Sequence, residues 1–162
     1  KASLTGHLVF STLHTNDAPS SITRLQNMGT PNYLISAALS LIMAQRLARK
    51  TCLDCRILDE NITPKLLNSI GFLPEQSARA KIYKGKGCDQ CGGSGYKGRM
   101  GIYEILEIDN ELKAGVLSNL QQTELNAIAK KNGFRTMQDM GQDLLLSGDL
   151  SFAEYERVLQ SN

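Results

Sequence analysis

Two Cys-x-x-Cys pairs constrain this chain more than any other feature: Cys52-Leu53-Asp54-Cys55, then thirty-two residues, then Cys88-Asp89-Gln90-Cys91. These four are all the cysteines the sequence has. Such pairs sit on tight turns that aim both sulfurs at one point, and two of them supply the donors of a tetrahedral thiolate site. Zn2+ fits best, since thiolates are soft donors and four of them satisfy its preferred geometry. Gly85-Lys86-Gly87 before the second pair and Gly92-Gly93-Ser94-Gly95 after it give that knuckle the positive φ it needs. Disulfides or a redox pair are the alternatives. Disulfides require an oxidising compartment, and nothing here resembles a signal peptide. A redox pair leaves the second Cys-x-x-Cys unexplained. With four ligands in place, a zinc site is expected to hold structure and not to catalyse.

At 162 residues and 41% hydrophobic content, the chain can bury a core of one domain or somewhat more. A formal charge of +2 gives no push toward nucleic acid or membrane. No apolar run approaches the roughly 18 residues that cross a bilayer, and reduced cysteines without a leader point to the cytoplasm. The chain starts at Lys1, and Thr5-Gly6 reads as the end of a helix, so a piece of a longer protein is expected.

Residues 7–13, His-Leu-Val-Phe-Ser-Thr-Leu, are β-branched and apolar, the pattern of a buried strand in an α/β sheet. A polar turn of His14-Thr15-Asn16-Asp17 follows. Asn16 or Asp17 then caps a helix that runs to about Met28, with Ile22 and Leu25 inward and Gly29 as its stop. Ligands in such sheets gather at the carboxyl ends of strands, which is where His14 falls. On a continuous strand His7 and His14 lie about 23 Å apart and cannot share one metal ion. The plainer reading of each is a satisfied polar group at a strand end.

A second helix is expected from Thr30-Pro31 to Ala38; residues 39–50 fit either a strand, by the alternation of Leu41, Met43 and Gln45, or a helix over 44–48, and a strand into the first knuckle is favoured, with Arg46, Arg49 and Lys50 on a solvated face. Thr63-Pro64 caps a short helix over 65–70. Residues 80–84 and 96–106 read as strands before and after the second knuckle. Helices are expected over 110–118, 123–132, 136–146 and 151–160, the last opened by a Ser151/Glu154 capping box.

With these pieces placed, the chain resembles the GspE/PilB family, the motor ATPases of type II secretion and type IV pilus assembly. Residues 5–18, Thr-Gly-His-Leu-Val-Phe-Ser-Thr-Leu-His-Thr-Asn-Asp-Ala, look like that family's histidine box. Ala44-Gln45-Arg46-Leu47 ahead of Cys52 looks like the entry to its metal-binding insertion. Gly95-Tyr96-Lys97-Gly98-Arg99-Met100-Gly101-Ile102-Tyr103-Glu104 looks like the return. Phe10-Ser11 and Ala18-Pro19-Ser20-Ser21 lean toward the pilus-extension branch over the secretion branch.

The resemblance implies an α/β fold: the C-terminal part of a RecA-like core over 1–51, a zinc-binding insertion over 52–98, and a return strand with a C-terminal helical subdomain over 99–162. It implies a homo-hexamer that hydrolyses ATP with Mg2+ and works with inner-membrane platform proteins, peripheral to the membrane and without nucleic acid. His14 matches the histidine that would report the γ-phosphate, His7 is a weaker catalytic candidate, and Arg99 matches an arginine near the nucleotide base. The plainer reading of Arg99 is a surface cation beside a glycine turn. No Gly-x-x-x-x-Gly-Lys-Ser/Thr loop occurs in the sequence, so this stretch alone is not expected to hydrolyse ATP. The rival reading is a zinc-ribbon binding module, for which Tyr83, Lys84, Lys86, Tyr96, Lys97 and Arg99 offer a modest nucleic-acid face.

Overall fold

Asp17 and Pro19 start the first helix in different ways. The Asp17 carboxylate accepts the Ser20 amide at 2.7 Å, while the Pro19 ring presets helical φ at the N-cap. The helix, α1, spans Ser20–Asn27 and ends at Gly29, whose φ of +79° only glycine adopts without strain. The computed structural model describes residues 2–160, and these divide into two compact units.

The first unit holds residues 2–44 and 103–136. Besides α1 it contains α2 (Asn32–Ala38), the start of strand β1 (Leu41–Thr51), the end of strand β4 (Tyr96–Glu107), α5 (Asn110–Leu117) and α6 (Gln122–Lys131). β1 and β4 form a two-stranded sheet. Ile22, Ile35, Ile42, Leu106, Leu112 and Leu125 are among the residues of its buried core. α5 is capped by Asp109, which takes the Leu112 amide at 2.8 Å.

One expectation fails in this unit. Residues 7–13 form no strand, and their apolar side chains are exposed, Leu8 to 84% and Phe10 to 88%. An apolar strand of a parallel sheet is stable only between neighbours that take up its amides and carbonyls, and among the described residues no strand pairs with this one. The helical turn expected before Gly6 is present as a 3-10 turn over Ala2–Thr5.

The second unit holds residues 45–102 and 137–160. It contains the remainder of β1 and β4, then β2 (Arg56–Leu58), α3 (Pro64–Ser69), α4 (Pro74–Arg79), β3 (Tyr83–Gly85), α7 (Met137–Ser147) and α8 (Phe152–Tyr155). β2 and β3 pair antiparallel, with Ile57 opposite Lys84. Ala48, Leu67, Phe72, Ile82, Leu145 and Tyr155 are buried here. The Thr63 hydroxyl caps α3 at the Leu66 amide, as its sequence indicates.

Three details depart from expectation. α4 was not foreseen, although Pro74 at its first turn and Gln76 accepting the Leu73 amide at 3.1 Å make an ordinary helix start. β3 begins three residues later than expected, with Ile82 buried just ahead of it. The last helix is α-helical only to Tyr155 and widens into a π-helical turn over Glu156–Gln160. Within this stretch the Val158 carbonyl accepts from the Arg46 side chain.

Candidate functional site

The four cysteines meet at one point. β1 delivers Cys52, which is buried and donates its amide to the Gly95 carbonyl at 2.9 Å. Three residues on, Cys55 stands just before β2, and its carbonyl takes the Lys86 amide at 3.0 Å. The second knuckle is a 3-10 turn over Asp89–Cys91, closed by Gly92 at φ +60° and by the Gly93 amide on the Cys88 carbonyl. Glycine is required where the strands around the knuckle close up: a Cβ on Gly85 would lie 2.0 Å from the Gly95 carbonyl oxygen.

All four Sγ atoms lie within 4.8 Å of one another. Cys52 and Cys88 are 3.9 Å apart, Cys55 and Cys91 3.9 Å, and Cys88 and Cys91 3.7 Å. A zinc ion with sulfurs at about 2.3 Å in a tetrahedron puts neighbouring sulfurs about 3.8 Å apart. The donor set therefore fits Zn2+ in number, chemistry and spacing. All four are free cysteines, so neither pair is a disulfide.

Backbone amides point at the sulfurs, as a cluster of negative thiolates needs. Gly87 N donates to Cys55 Sγ at 3.3 Å, and Cys88 N and Gly95 N both donate to Cys91 Sγ at 3.2 Å. The Cys88 amide is the main reason the Cys91 thiol is pulled down to about 6, ahead of the opposing effect of burial. Burial dominates at Cys55 and pushes it up to about 11. Metal binding takes these groups as thiolates, so Cys91 is the readier of the two to bind, and Cys55 must give up a proton that burial helps it keep.

The other candidates are placed separately. In the first unit a polar hollow of about 300 Å³ is lined by His14, Thr15, Asp17, Thr23, Arg24 and Gln122 among others. His14 is exposed there, on the loop that leads from Gly6 to α1. His7 is not part of the hollow; it is exposed and shares a 3.0 Å hydrogen bond with the Thr5 hydroxyl. In the second unit Arg99 is exposed on β4, and the neighbouring Lys97 reaches Asp54 at 3.3 Å.

The burial of two carboxylates was not foreseen. Glu104 is 3% exposed and its Oε1 accepts the Ala18 amide, at the end of the loop that carries His14. Ile102, Glu104 and Leu106 are buried while Tyr103 and Ile105 are not, so strand alternation alone puts Glu104 on the inward face. Glu154, fully buried in the second unit, is bonded to Arg49 and Arg157.

The family model for type II/IV secretion system proteins matches residues 1–157. Among curated proteins, the type IV pilus assembly ATPase PilB of Thermus thermophilus is 41% identical over 95% of this chain, which spans 17% of that protein. The type IV pilus assembly ATPase TfpB of Acinetobacter baylyi is 42% identical over 98% of this chain and 27% of its own length. Type II secretion system protein E of Aeromonas hydrophila is 36% identical over the whole of this chain and 32% of its own length. The chain thus spans less than a third of the length of these relatives. A mixed α/β chain with two small sheets, carrying a four-cysteine cluster on two Cys-x-x-Cys turns, belongs to the type II/IV secretion system protein family.

Proposed function

We propose that the chain is part of an ATP-hydrolysing hexameric motor that drives type IV pilus assembly. The carrying observation is identity sustained along nearly the whole chain with pilus assembly ATPases, at 39–42%, against 35–38% for the type II secretion relatives. A type II secretion motor is the second reading, and the 36% match over the full chain supports it.

In this reading, residues 1–51 belong to a RecA-like core, 52–98 to a zinc insertion, and 99–162 to the return strand and a helical subdomain. ATP hydrolysis needs a phosphate cradle, a Mg2+-binding acid and a group that senses the γ-phosphate. His14, on the rim of a polar hollow with Arg24, serves as the sensing group, and Arg99 borders the nucleotide base. His7 plays at most a secondary part. The sequence has no phosphate loop, so ATP and Mg2+ bind only in the longer protein. Zn2+ holds the knuckles together and presents a rigid surface to an inner-membrane platform protein. The motor works in the cytoplasm, peripheral to the membrane and without nucleic acid. No described helix is long and apolar enough to cross a membrane.

The test is genetic and enzymatic. The full-length gene product is assayed for Mg2+-dependent ATP hydrolysis, and its gene is deleted. Loss of surface pili with secretion intact supports pilus assembly; loss of secretion with pili intact selects the second reading. Salt-sensitive binding of an oligonucleotide without ATP hydrolysis would select the zinc-ribbon module.

A further inference from the structure

We propose that Glu104 is the positioning residue of the His14 hollow. Its carboxyl is buried at 3% exposure among the core of the first unit, beside Leu106 and Ala18. A buried carboxyl is costly unless hydrogen bonds satisfy it, and here its Oε1 accepts from the backbone amide of Ala18. Ala18 closes the loop His14-Thr15-Asn16-Asp17 and is itself fully buried.

From that anchored amide the hollow is built in two directions. Toward the C-terminus, Asp17 Oδ1 holds the Ser20 amide at 2.7 Å and the Ser20 hydroxyl donates to the Asp17 carbonyl at 2.9 Å, which starts α1 and aims Thr23 and Arg24 into the hollow. Toward the N-terminus, Thr15 shares a 2.9 Å hydrogen bond with the Ser21 hydroxyl, and His14 precedes it. The loop has no strand or helix of its own to fix it. Its path is set by these few bonds, and the bond from Glu104 ties it to a paired strand. A shift at Ala18 therefore moves His14 relative to Arg24. Glu104 lines no part of the hollow, so it acts through the loop and does not touch the ligand. The hold on the loop comes from the reach and acceptor capacity of the side chain at the Ala18 amide.

Its effect on turnover rests on the motor reading above; its hold on the loop does not. Three variants of the full-length protein separate the two. Glu104→Gln keeps length and an acceptor oxygen, Glu104→Asp keeps charge but is one methylene short, and Glu104→Ala removes both. Hydrogen exchange of peptides covering 14–20 is read alongside peptides covering α5. Glu104→Ala and Glu104→Asp are expected to speed exchange at 14–20 by about tenfold or more while α5 is unchanged, and Glu104→Gln is expected to behave like the parent protein. In ATP hydrolysis the same order should appear in kcat, with KM little altered. Unchanged exchange at 14–20 in Glu104→Ala overturns the inference, as does Glu104→Asp outperforming Glu104→Gln. Altered exchange with unaltered kcat also overturns it, because the loop is then not part of the chemistry. Should Glu104→Ala fail to fold, the Asp and Gln pair still decides. A parent protein without ATP hydrolysis sinks the motor reading alone, and the exchange data then stand by themselves.

Discussion

Glu154 receives Arg49 twice, from the backbone and from the side chain. Its Oε1 takes the Arg49 amide at 2.8 Å, and its Oε2 takes Nε and Nη2 of the same residue at 3.0 and 2.7 Å. Arg157 donates to the same carboxylate from Nε at 2.9 Å. The Arg49 guanidinium also lies 4.1 Å over the Tyr96 ring, and the Tyr96 hydroxyl meets Ser151 at 3.1 Å. A fully buried carboxylate is thus held between two half-exposed cations, and it joins β1 to α8 within the second unit.

Acid should undo this clamp. Burial by itself would raise the Glu154 pKa, but the hydrogen bonds from Arg157 and Arg49 outweigh it and hold the group at about 2. A depressed carboxyl contributes its full stability above its unfolded value of about 4.3 and loses it as pH falls toward the folded value. Melting temperature is expected to be flat from neutral pH to about 5 and to drop between about 4.5 and 2. Glu154→Gln should cost about 1–3 kcal/mol at neutral pH and show a shallower acid limb. Thermal melts across this range check it, and a Gln variant with the parent's acid limb would place the loss elsewhere.

The seam between Gly85 and Gly95 makes the metal site sensitive to a single methyl group. A Cβ on Gly85 would sit 2.0 Å from the Gly95 carbonyl oxygen; one on Gly95, at φ +76°, would sit 2.7 Å from the Gly85 oxygen. Gly95 also donates the amide that Cys91 Sγ accepts. Gly85→Ala and Gly95→Ala are expected to weaken zinc affinity about 10- to 100-fold. Gly92→Ala, which meets nothing within 4 Å, should cost only the strain of its positive φ, about 1 kcal/mol. Competition with a chromophoric chelator ranks the three, and equal losses would show that conformation and not crowding governs the site.

The knuckles were legible because metal-ligand spacing is local and glycine positions are nearly diagnostic. So were the two long strands and the starts of several helices: Thr63 and Ser151 cap as their positions suggest, and Asp17 takes the Ser20 amide just ahead of α1. What sequence reading missed was long-range. The Ser151/Glu154 capping box is only half made: Ser151 accepts the Glu154 amide, but the Glu154 side chain turns to Arg49, 105 residues away in sequence. Arg49 itself looked like part of a solvated face, since nothing in its neighbourhood announces a buried partner. Residues 7–13 failed as a strand for the converse reason. Their composition asks for sheet neighbours, and strand formation depends on partners that composition cannot supply.

Removing one sulfur should empty the metal site. Cys88→Ser replaces a soft thiolate at the point where Sγ atoms of Cys52 and Cys91 lie 3.9 and 3.7 Å away, leaving three ligands and a poor fourth. The parent protein is expected to carry a single tightly held zinc, and the variant to lose it on dialysis, along with protease resistance between the two knuckles. Under the motor reading proposed above, binding to a membrane platform protein should weaken in parallel. Zinc content by elemental analysis decides the first part, and unchanged content would refute the four-sulfur assignment.

The two histidines should part ways in turnover. His14 lines the polar hollow with Arg24, Thr23 and Gln122, whereas His7 pairs with Thr5 on an exposed stretch outside it. If His14 senses the terminal phosphate, it contributes a positioned donor where charge develops, and such a donor is worth about a hundredfold in kcat or more. His14→Ala in the full-length protein is accordingly expected to lower kcat on that scale, with KM for ATP little changed. His7→Ala should leave both near the parent values. Steady-state ATP hydrolysis separates the cases. Equal defects in both variants would mean that the exposed stretch acts as a unit, and a His7 defect alone would move the sensing role off the hollow.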